Sequence, residues 1–399
     1  MKYNNQNMLV INGGSSSIKF ALYSMDEKLN KILSGQIKRI GFDNPEFTVN
    51  NKLNNEKKEI KIDAKNFMEA AEVLIEWLKE HKYFEAIKCI GHRIVHGMEH
   101  TRPVIIDDNL LKELYKIVQY DPDHLPAEIK MIELFKKQFP NLLQVACFDT
   151  SFHTTLPKVA KTFALPKKYY DEGIKRYGFH GISYSYLMDE LRKKNEGEAK
   201  GRIILAHLGN GASLAAVKGG KCLDTSMGLT PAGGIVMSTR SGDMDPGVAW
   251  YLMQEGLNAE GFNDLINHQC GLLGISGLSS DMQDLLKHEK NNKDAALAIE
   301  IFCYQIKKYI GGYTAAMGGL DTLVFSGGIG ENAAVIRSRI CKGFAYLGIE
   351  IDEEENKKNS RIISTINSKV VVDVIPTDEE IMIAMETKEL YRNTQIKSQ

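Results

Sequence analysis

The stretch MLVINGGSSSIKFALY, residues 8–23, places two strand-like apolar runs on either side of a loop of Asn, Gly and Ser. The runs are Met8–Ile11 and Lys19–Tyr23, and the loop leaves backbone N–H groups and hydroxyls open to a ligand. A phosphate suits such a loop, and so does a plain β-hairpin turn. Lys19, just beyond the loop, can reach a phosphate oxygen or simply lie at the surface.

The same pattern recurs about half a chain later. Arg202–His207 is an apolar strand, residues 208–213 (LGNGAS) form a loop, and Leu214–Val217 begins a second strand. Strand-like and helix-like segments alternate elsewhere in the chain, which indicates an α/β fold. The repeated unit predicts that this fold is duplicated.

A chain of 399 residues is too long for one ordinary hydrophobic core, so we expect two domains. We place them at residues 1–150 and 151–379, with a C-terminal helix, 380–399, packing back on the first. Apolar spacing predicts one helix over Phe67–Leu78 and another that opens at Pro126, its first helical position.

Composition excludes several classes of function. A formal net charge of −1, with Lys and Arg spread along the chain, gives no general attraction to nucleic acid or to an anionic membrane. No apolar run approaches the ~20 residues that span a bilayer, and the N-terminus is too polar for a secretory signal. The six cysteines include no C-x-x-C pair, which fits a reducing cytosol. We therefore expect a cytoplasmic protein.

A third glycine-rich segment follows the strand-like run Thr322–Phe325. Its sequence, SGGIGEN at residues 326–332, resembles a nucleotide-binding turn but lacks the third glycine of G-x-G-x-x-G. The P-loop pattern and the protein-kinase H-R-D and D-F-G motifs are also missing. Three glycine loops at strand ends together favour phosphate binding in a different fold.

Three polar residues lie within a probable strand, at a strand end and in a loop, and each has two interpretations. Arg93, between apolar residues of a probable strand, can hold a ligand carboxylate or form a salt bridge with a protein carboxylate. Asp149 ends the strand VACF and suits either metal-bound water or a turn. His180, in RYGFHG, can contact a phosphate or be an ordinary loop histidine.

The loop TRSGDMDP, residues 239–246, carries an arginine and two acids before a helix. Asp245 and Pro246 suit the N-cap and first position of that helix. Arg240 and Asp243 are left without a structural explanation.

Taken together, these segments resemble the acetate/propionate kinase family of the actin and sugar-kinase superfamily, from Asn12 to Glu380. The matching stretches are residues 10–19, 91–97, 176–181, 207–213, 224–228, 239–246, 328–332 and 376–380. The resemblance implies two duplicated RNase H-like domains with the active site in the cleft between them. It also implies a homodimer that transfers phosphoryl groups between ATP and acetate with Mg²⁺, or with Mn²⁺ as an alternative.

The resemblance also implies a role for each matching position. Catalytic roles fall to Asp149, His180 and Arg240, and substrate contacts to Arg93, Val95, His124, Phe179 and Pro231. The metal would be served by Asn12 and Glu379. The nucleotide would be held by Lys19, His207, Leu208, Gly209, Asn210, Gly211, Asp281, Met282, Gln283, Gly328, Ile329, Gly330, Glu331 and Asn332.

The chain departs from the family pattern at three places. Residues 122–126 read PDHLP where the family has Pro-Leu-His-Asn-Pro, Gln283 replaces an arginine, and Asp378 replaces an asparagine. Because a short carboxylate is already ionised at neutral pH, the nucleophile needs no general base. We therefore assign Asp149 to organising metal-bound water or orienting Arg240. The remaining alternatives are a propionate or butyrate kinase, a sugar or glycerol kinase, and an actin-like or chaperone-like ATPase switch.

Overall fold

A computed structural model describes residues 6–14, 17–42, 44–52 and 54–397. Two residues of the first predicted phosphate loop, Ser15 and Ser16, lie outside the described part. The chain forms two compact units: Met1–Ser151 with Asp378–Gln399, and Phe152–Thr377. Among the described residues, no helix is long and apolar enough to cross a membrane.

The first unit contains an eight-stranded sheet in the order β5-β4-β3-β2-β1-β6-β8-β7. The strands β1, β2 and β3 are antiparallel neighbours, whereas β1, β6 and β8 are parallel ones. The strands are β1 (Asn7–Gly13), β2 (Ile18–Ser24), β3 (Lys31–Lys38), β4 (Glu46–Asn51), β5 (Glu56–Lys61), β6 (Ile87–Ile94), β7 (Val104–Ile105) and β8 (Leu143–Phe148).

Helices pack against this sheet, as the long buried runs of β1 and β8 require. The helices are α1 (Phe67–Glu80), α2 (Asp108–Lys116), α3 (Leu125–Gln138) and, from the end of the chain, a helix at Glu379–Lys397. The last packs against β1, β6 and β8. Gly91 of β6 allows this approach, since a Cβ there would clash with Thr387 and Ile383.

The second unit contains a five-stranded sheet in the order β11-β10-β9-β12-β13. Its first three strands are antiparallel and its last two parallel, which repeats the pattern of β3-β2-β1-β6-β8. The predicted α/β class with duplicated RNase H-like units is confirmed. The strands are β9 (Arg202–Leu208), β10 (Ala212–Lys218), β11 (Lys221–Thr225), β12 (Thr322–Ser326) and β13 (Val371–Val374).

The helices of the second unit include a 25-residue helix, α11, that packs on α9, α10 and α13. They are α4 (Lys158–Lys161), α5 (Lys167–Asp171), α6 (Gly181–Lys194), α7 (Pro246–Gln254), α8 (Ala259–Asp264), α9 (Gly271–Ser276), α10 (Met282–His288), α11 (Lys293–Met317), α12 (Gly327–Asn332), α13 (Ala334–Cys341) and α14 (Glu353–Lys357). We number the terminal helix Glu379–Lys397 α15.

The elements predicted from apolar spacing are confirmed, and two local expectations are wrong. The segment Gly327–Asn332, expected to be a loop, forms the short helix α12 directly after β12. Val95 follows Arg93 by two residues, a spacing that predicts one shared face if both lie in a strand, but Val95 lies just beyond the end of β6. The alternation of side chains along a strand therefore does not relate these two residues.

Candidate active site

Three strand ends of the first unit bring predicted functional residues together. Asn12 lies near the end of β1, Arg93 near the end of β6, and Asp149 directly after β8. These strands are parallel neighbours, so their carboxyl ends meet at one edge of the sheet. The sequence predicted each residue separately, and the structure places them in one cluster.

The guanidinium of Arg93 is held by four hydrogen bonds. Its Nε and Nη2 donate to Oδ2 of Asp149 at 3.1 and 2.6 Å, and its Nη1 donates to Asn12 Oδ1 and the Gly13 carbonyl, both at 3.3 Å. Burial alone would lower the pKa of Arg93, but the charges of Asp149 and Glu379 outweigh it and raise that pKa. Of the two interpretations of Arg93, the protein salt bridge is present. Among the described residues, Nη2 donates only to Asp149, so its second N–H can bind a further acceptor.

Carboxylates from the first turn of α15 extend this cluster. Asn12 Nδ2 donates to Glu379 Oε2 at 2.9 Å and to Glu380 Oε1 at 3.4 Å. Amide and carboxylate oxygens are the donors that Mg²⁺ prefers, usually together with water and phosphate oxygens. Among the described residues, no three His, Cys, Asp or Glu side chains are grouped to hold a metal. Asn12, Glu379 and Glu380 therefore fit a cation that phosphates and water help to bind.

Asp378, which departs from the family pattern, has a structural role. One of its oxygens accepts the Ile381 N–H at 3.0 Å, so it caps α15, and the other accepts from Lys31 Nζ at 2.8 Å. The lysine offsets the extra negative charge beside Glu379. Lys31 also lines a pocket of about 210 Å³ together with Lys19 and other residues of β2 to β4.

The predicted acyl-binding residues of the first unit have polar neighbours. Val95 is buried, and its N–H donates to Oε2 of Glu128 in α3 at 3.1 Å. His124, at the N-cap position of α3, pairs through Nδ1 with Asp121 at 2.8 Å. Burial, and then the charge of Asp121, raise the pKa of Glu128 well above its usual range. Glu128 was not predicted from the sequence, because a glutamate at helical spacing is usually exposed.

In the second unit, His180 is fixed in a hydrogen-bonded network. It precedes α6 with a left-handed φ of 57°, and its Nδ1 lies 2.9 Å from Ser213 Oγ. Ser213 in turn lies 2.5 Å from the Tyr184 hydroxyl. The ring stacks on His207 at 4.3 Å between centroids, and His207 Nδ1 lies 2.8 Å from Ser183 Oγ. Both histidine rings are thus oriented through Nδ1.

Gly211 lies between His180 and Arg240. A Cβ built on Gly211 would be 3.1 Å from His180 Nε2 and 3.5 Å from Arg240 Nη1. Arg240 Nη1 also donates to the Pro231 carbonyl at 3.4 Å. Two nitrogens therefore flank one small space that only a glycine leaves open, a suitable position for phosphoryl oxygens.

His153, which was not predicted from the sequence, contacts the backbone next to His180. Its Nε2 lies 2.9 Å from the carbonyl oxygen of Phe179, the residue before His180, and its Nδ1 lies 3.2 Å from Cys222 Sγ. Burial lowers the pKa of His153 to about 4, so the ring is neutral at physiological pH. Because of its hydrogen bonds, we interpret it as a structural residue.

Asp243 stabilises the loop that carries Arg240 through two hydrogen bonds. One oxygen of Asp243 accepts the Gly234 N–H at 2.8 Å, and the other accepts the hydroxyl of Tyr309 in α11. Asp245 caps α7, as its position before Pro246 predicts. Asp243, which the sequence left unexplained, thus holds the loop in place.

The second and third glycine segments are neighbours, because β9 and β12 pair in parallel up to His207 and Ser326. A Cβ on Gly327 would clash with Leu208, so these segments approach closely. Glu331 Oε1 accepts N–H groups of Gly327 and Thr377 at 2.9 and 3.0 Å. Glu331 thus links the start of α12 to the backbone at Thr377.

The remaining predicted nucleotide segment, Asp281–Gln283, begins α10. Asp281 caps this helix by accepting the Gln283 and Asp284 N–H groups at 2.7 and 3.2 Å. No hydrogen bond between described residues ties this segment to the glycine segments. The structure thus gives Asp281 a capping role and leaves its nucleotide role a prediction.

The chain is similar to known proteins over nearly its whole length. The sequence pattern of the Acetokinase family matches residues 7–385. The chain is 43% identical to an acetate kinase of Thermoanaerobacter pseudethanolicus over 96% of this chain and 99% of that protein, and 43% identical to one of Clostridium novyi over 98% and 100%. It is also similar to two solved structures. One is a Porphyromonas gingivalis acetate kinase (40% identity, 97% and 100% covered, TM-score 0.86), and the other a Francisella tularensis propionate kinase (38%, 96% and 99%, 0.90). The chain belongs to the Acetokinase family.

Proposed function

We propose that this protein is an acetate kinase, which reversibly transfers the γ-phosphoryl group of ATP to acetate to give acetyl phosphate and ADP. The space at Gly211, flanked by His180 Nε2 and Arg240 Nη1, carries this proposal. Trapping the product with hydroxylamine tests it, since acetyl phosphate yields a hydroxamate and ADP does not.

The chemistry asks mainly for positioning and charge stabilisation, because a phosphoryl group passes through a loose, anionic transition state. His180 and Arg240 stabilise the equatorial oxygens there. The acetate carboxylate binds the available N–H of Arg93 Nη2 and attacks phosphorus without a general base. Asp149 orients Arg93 through their ion pair. Arg93 is therefore the partner that we assign to Asp149 in place of Arg240.

We propose that Asn12 and Glu379 serve Mg²⁺, with Mn²⁺ as the alternative. The bound cation supplies positive charge to the ATP phosphates. We expect Glu379→Ala to raise the Mg²⁺ concentration needed for half-maximal activity by about tenfold or more, because one carboxylate is lost from a site with few protein ligands. The measurement is a Mg²⁺ titration of the initial rate.

The matched control is Asp378→Asn, which removes the adjacent carboxylate but leaves Glu379 in place. Asp378 is paired with Lys31 rather than with Asn12. The Mg²⁺ concentration that Asp378→Asn needs for half-maximal activity should therefore stay close to that of wild type. If Glu379→Ala shifts no more than Asp378→Asn, Glu379 does not serve the metal.

The acyl preference rests on Val95, Phe179 and Pro231, which we propose contact the methyl group. Propionate should be used less well than acetate, since an extra methylene in such a pocket is worth only ~1–3 kcal/mol. We expect Val95→Ala to narrow or reverse this preference by opening space for a second carbon. The measurement is kcat/KM for acetate, propionate and butyrate.

Val49→Ala makes the same change at a buried position in β4 of the same unit. It should lower stability by a similar amount and leave the acetate-to-propionate ratio unchanged. A wild-type preference for butyrate would support the alternative acyl kinase. An acetate-to-propionate ratio of kcat/KM in Val95→Ala equal to that of wild type would show that Val95 does not contact the acyl group.

We also propose a homodimer, supported by the apolar surface of α7. Four of its nine residues are large, hydrophobic and 41–68% exposed: Val248, Trp250, Tyr251 and Met253. Such a surface is typical of a protein interface. Sedimentation should give twice the mass of one 44.7 kDa chain, and a stable monomer would contradict the proposal.

The six cysteines, none in a disulfide, support a reducing compartment such as the cytoplasm.

A further inference from the structure

Glu128, in the first turn of α3, is a buried acid to which the proposed function gives no role. Its side chain is 5% exposed, and Leu125 and Ile129 beside it belong to the apolar core of the first unit. Oε2 accepts the N–H of Val95 at 3.1 Å, whereas Oε1 is buried with no hydrogen-bond partner among the described residues. One hydrogen bond is therefore all that the surrounding described residues give this carboxyl group.

These surroundings do not suit an ionised carboxylate, because a buried charge is costly unless it is paired and hydrogen-bonded. Arg93 in β6 is the cation that acts on Glu128, but the four hydrogen bonds of its guanidinium go to other groups. Burial, and then the charge of Asp121 before α3, raise the pKa of Glu128 well above its usual range, and Asp149 after β8 adds to this. The contacts and charges together favour a neutral, protonated Glu128 at neutral pH.

The proton is important because Glu128 lies beside residues that we assign to acetate. Val95, whose N–H it binds, is proposed to contact the methyl group, and Arg93, two residues earlier, is proposed to bind the carboxylate. An ionised Glu128 would add negative charge near Arg93 and so weaken the binding of an anion there. A protonated Glu128 keeps the hydrogen bond to Val95 and adds no charge, so it is the form that fits a carboxylate substrate.

We propose that Glu128 is a positioning residue that, in its protonated form, holds the backbone at Val95 and keeps the surroundings of Arg93 suited to an anionic acyl substrate. It acts on the substrate through Val95 and Arg93 and touches neither acetate nor ATP. This inference rests on the proposed function, in which those two residues bind acetate.

The test compares Glu128→Gln with Glu128→Leu in steady-state kinetics at pH 7. Glutamine has the shape of the protonated acid, and its amide oxygen accepts the Val95 N–H without adding charge, so KM for acetate should stay within about twofold of wild type. Leucine is also neutral but leaves that buried N–H without an acceptor, so KM for acetate should rise about tenfold. The acetate-to-propionate ratio of kcat/KM should change in the leucine variant alone, and KM for ATP should change in neither.

A purely structural role would lower the melting temperature of Glu128→Leu but leave its KM for acetate and its acyl preference at the wild-type values. Glu133→Gln is the matched control, because Glu133 lies on the exposed face of α3 and accepts the Tyr115 hydroxyl at 2.8 Å. It should leave KM for acetate, KM for ATP and the acetate-to-propionate ratio unchanged.

Infrared spectroscopy in D₂O observes the proton itself and needs no substrate. The C=O stretch of a protonated carboxyl is separate from the bands of a carboxylate, so it should appear in the spectrum of wild type minus Glu128→Gln at pH 7. Its absence would show that Glu128 is ionised and would overturn the inference. A leucine variant with wild-type KM for acetate and wild-type acyl preference would overturn it too.

The glutamine variant decides the question even if Glu128→Leu does not fold. A KM for acetate in Glu128→Gln that differs from wild type by more than about fivefold would mean that the charge of the native acid is used, against the inference. Both results leave the proposed function standing. Wild-type protein that forms no hydroxamate from acetate overturns the proposed function and the role of Glu128 with it, whatever the infrared spectrum shows.

Discussion

Arg240→Ala should lower kcat by ~10³-fold or more, the loss seen when a cation that stabilises a phosphoryl-transfer transition state is removed. Nucleotide affinity should change little, because the predicted nucleotide contacts lie on other segments. The side chain flanks the space at Gly211 and is held by the Pro231 carbonyl. Steady-state kinetics with acetate and ATP, together with ATP titration, separate the two quantities.

Arg361→Ala is the matched control, because Arg361 is a partly exposed arginine of the same unit whose ion pair with Glu190 is long at 3.9 Å. Its kcat should equal that of wild type. A kcat for Arg240→Ala within tenfold of wild type would show that Arg240 does not stabilise the transition state.

Gly211→Ala should lower kcat by about 10²-fold while the protein stays folded. The new Cβ would lie 3.1 Å from His180 Nε2, so either the ring moves or the methyl group occupies the space between His180 and Arg240. A displacement of about 1 Å in a catalytic group can cost 10²-fold in rate. The measurements are kcat and the melting temperature.

Gly312→Ala makes the same substitution on α11, where a Cβ would meet nothing within 4 Å. Since alanine is the better helix former, this control should be as active as wild type and slightly more stable. If Gly211→Ala is also fully active, no phosphoryl group occupies that space.

Much of the fold could be predicted because the local signals agree with each other. The apolar spacing of Phe67–Leu78 matches α1, which begins at Phe67 and runs to Glu80. Proline at position 126 lies in the first turn of α3, which begins one residue earlier. The two strand–loop–strand stretches form the hairpins β1-β2 and β9-β10, and the five strands β3-β2-β1-β6-β8 of the first sheet repeat the pattern of the whole second sheet. Apolar spacing predicts these elements well because it determines which face of a helix or strand is buried.

The missed features depend on contacts between residues distant in sequence. The segment Gly327–Asn332 reads as a loop by composition, yet Glu331 and Arg337 bind its backbone and it becomes a helix. The pairing of Arg93 with Asp149 joins two strands 56 residues apart, so the sequence left a ligand carboxylate as an equal alternative. No local pattern marks such residues, because their neighbours are set by strand order.

The most direct measurement of the central claim is hydroxamate formation by purified protein with ATP, Mg²⁺, hydroxylamine and acetate. We predict rapid acetohydroxamate formation that requires both ATP and acetate, is lost in Arg240→Ala, is weaker with propionate, and is absent with glycerol or glucose as the acceptor. ATP hydrolysis at the same rate with and without acetate, and no hydroxamate, would contradict the account and favour an ATPase switch.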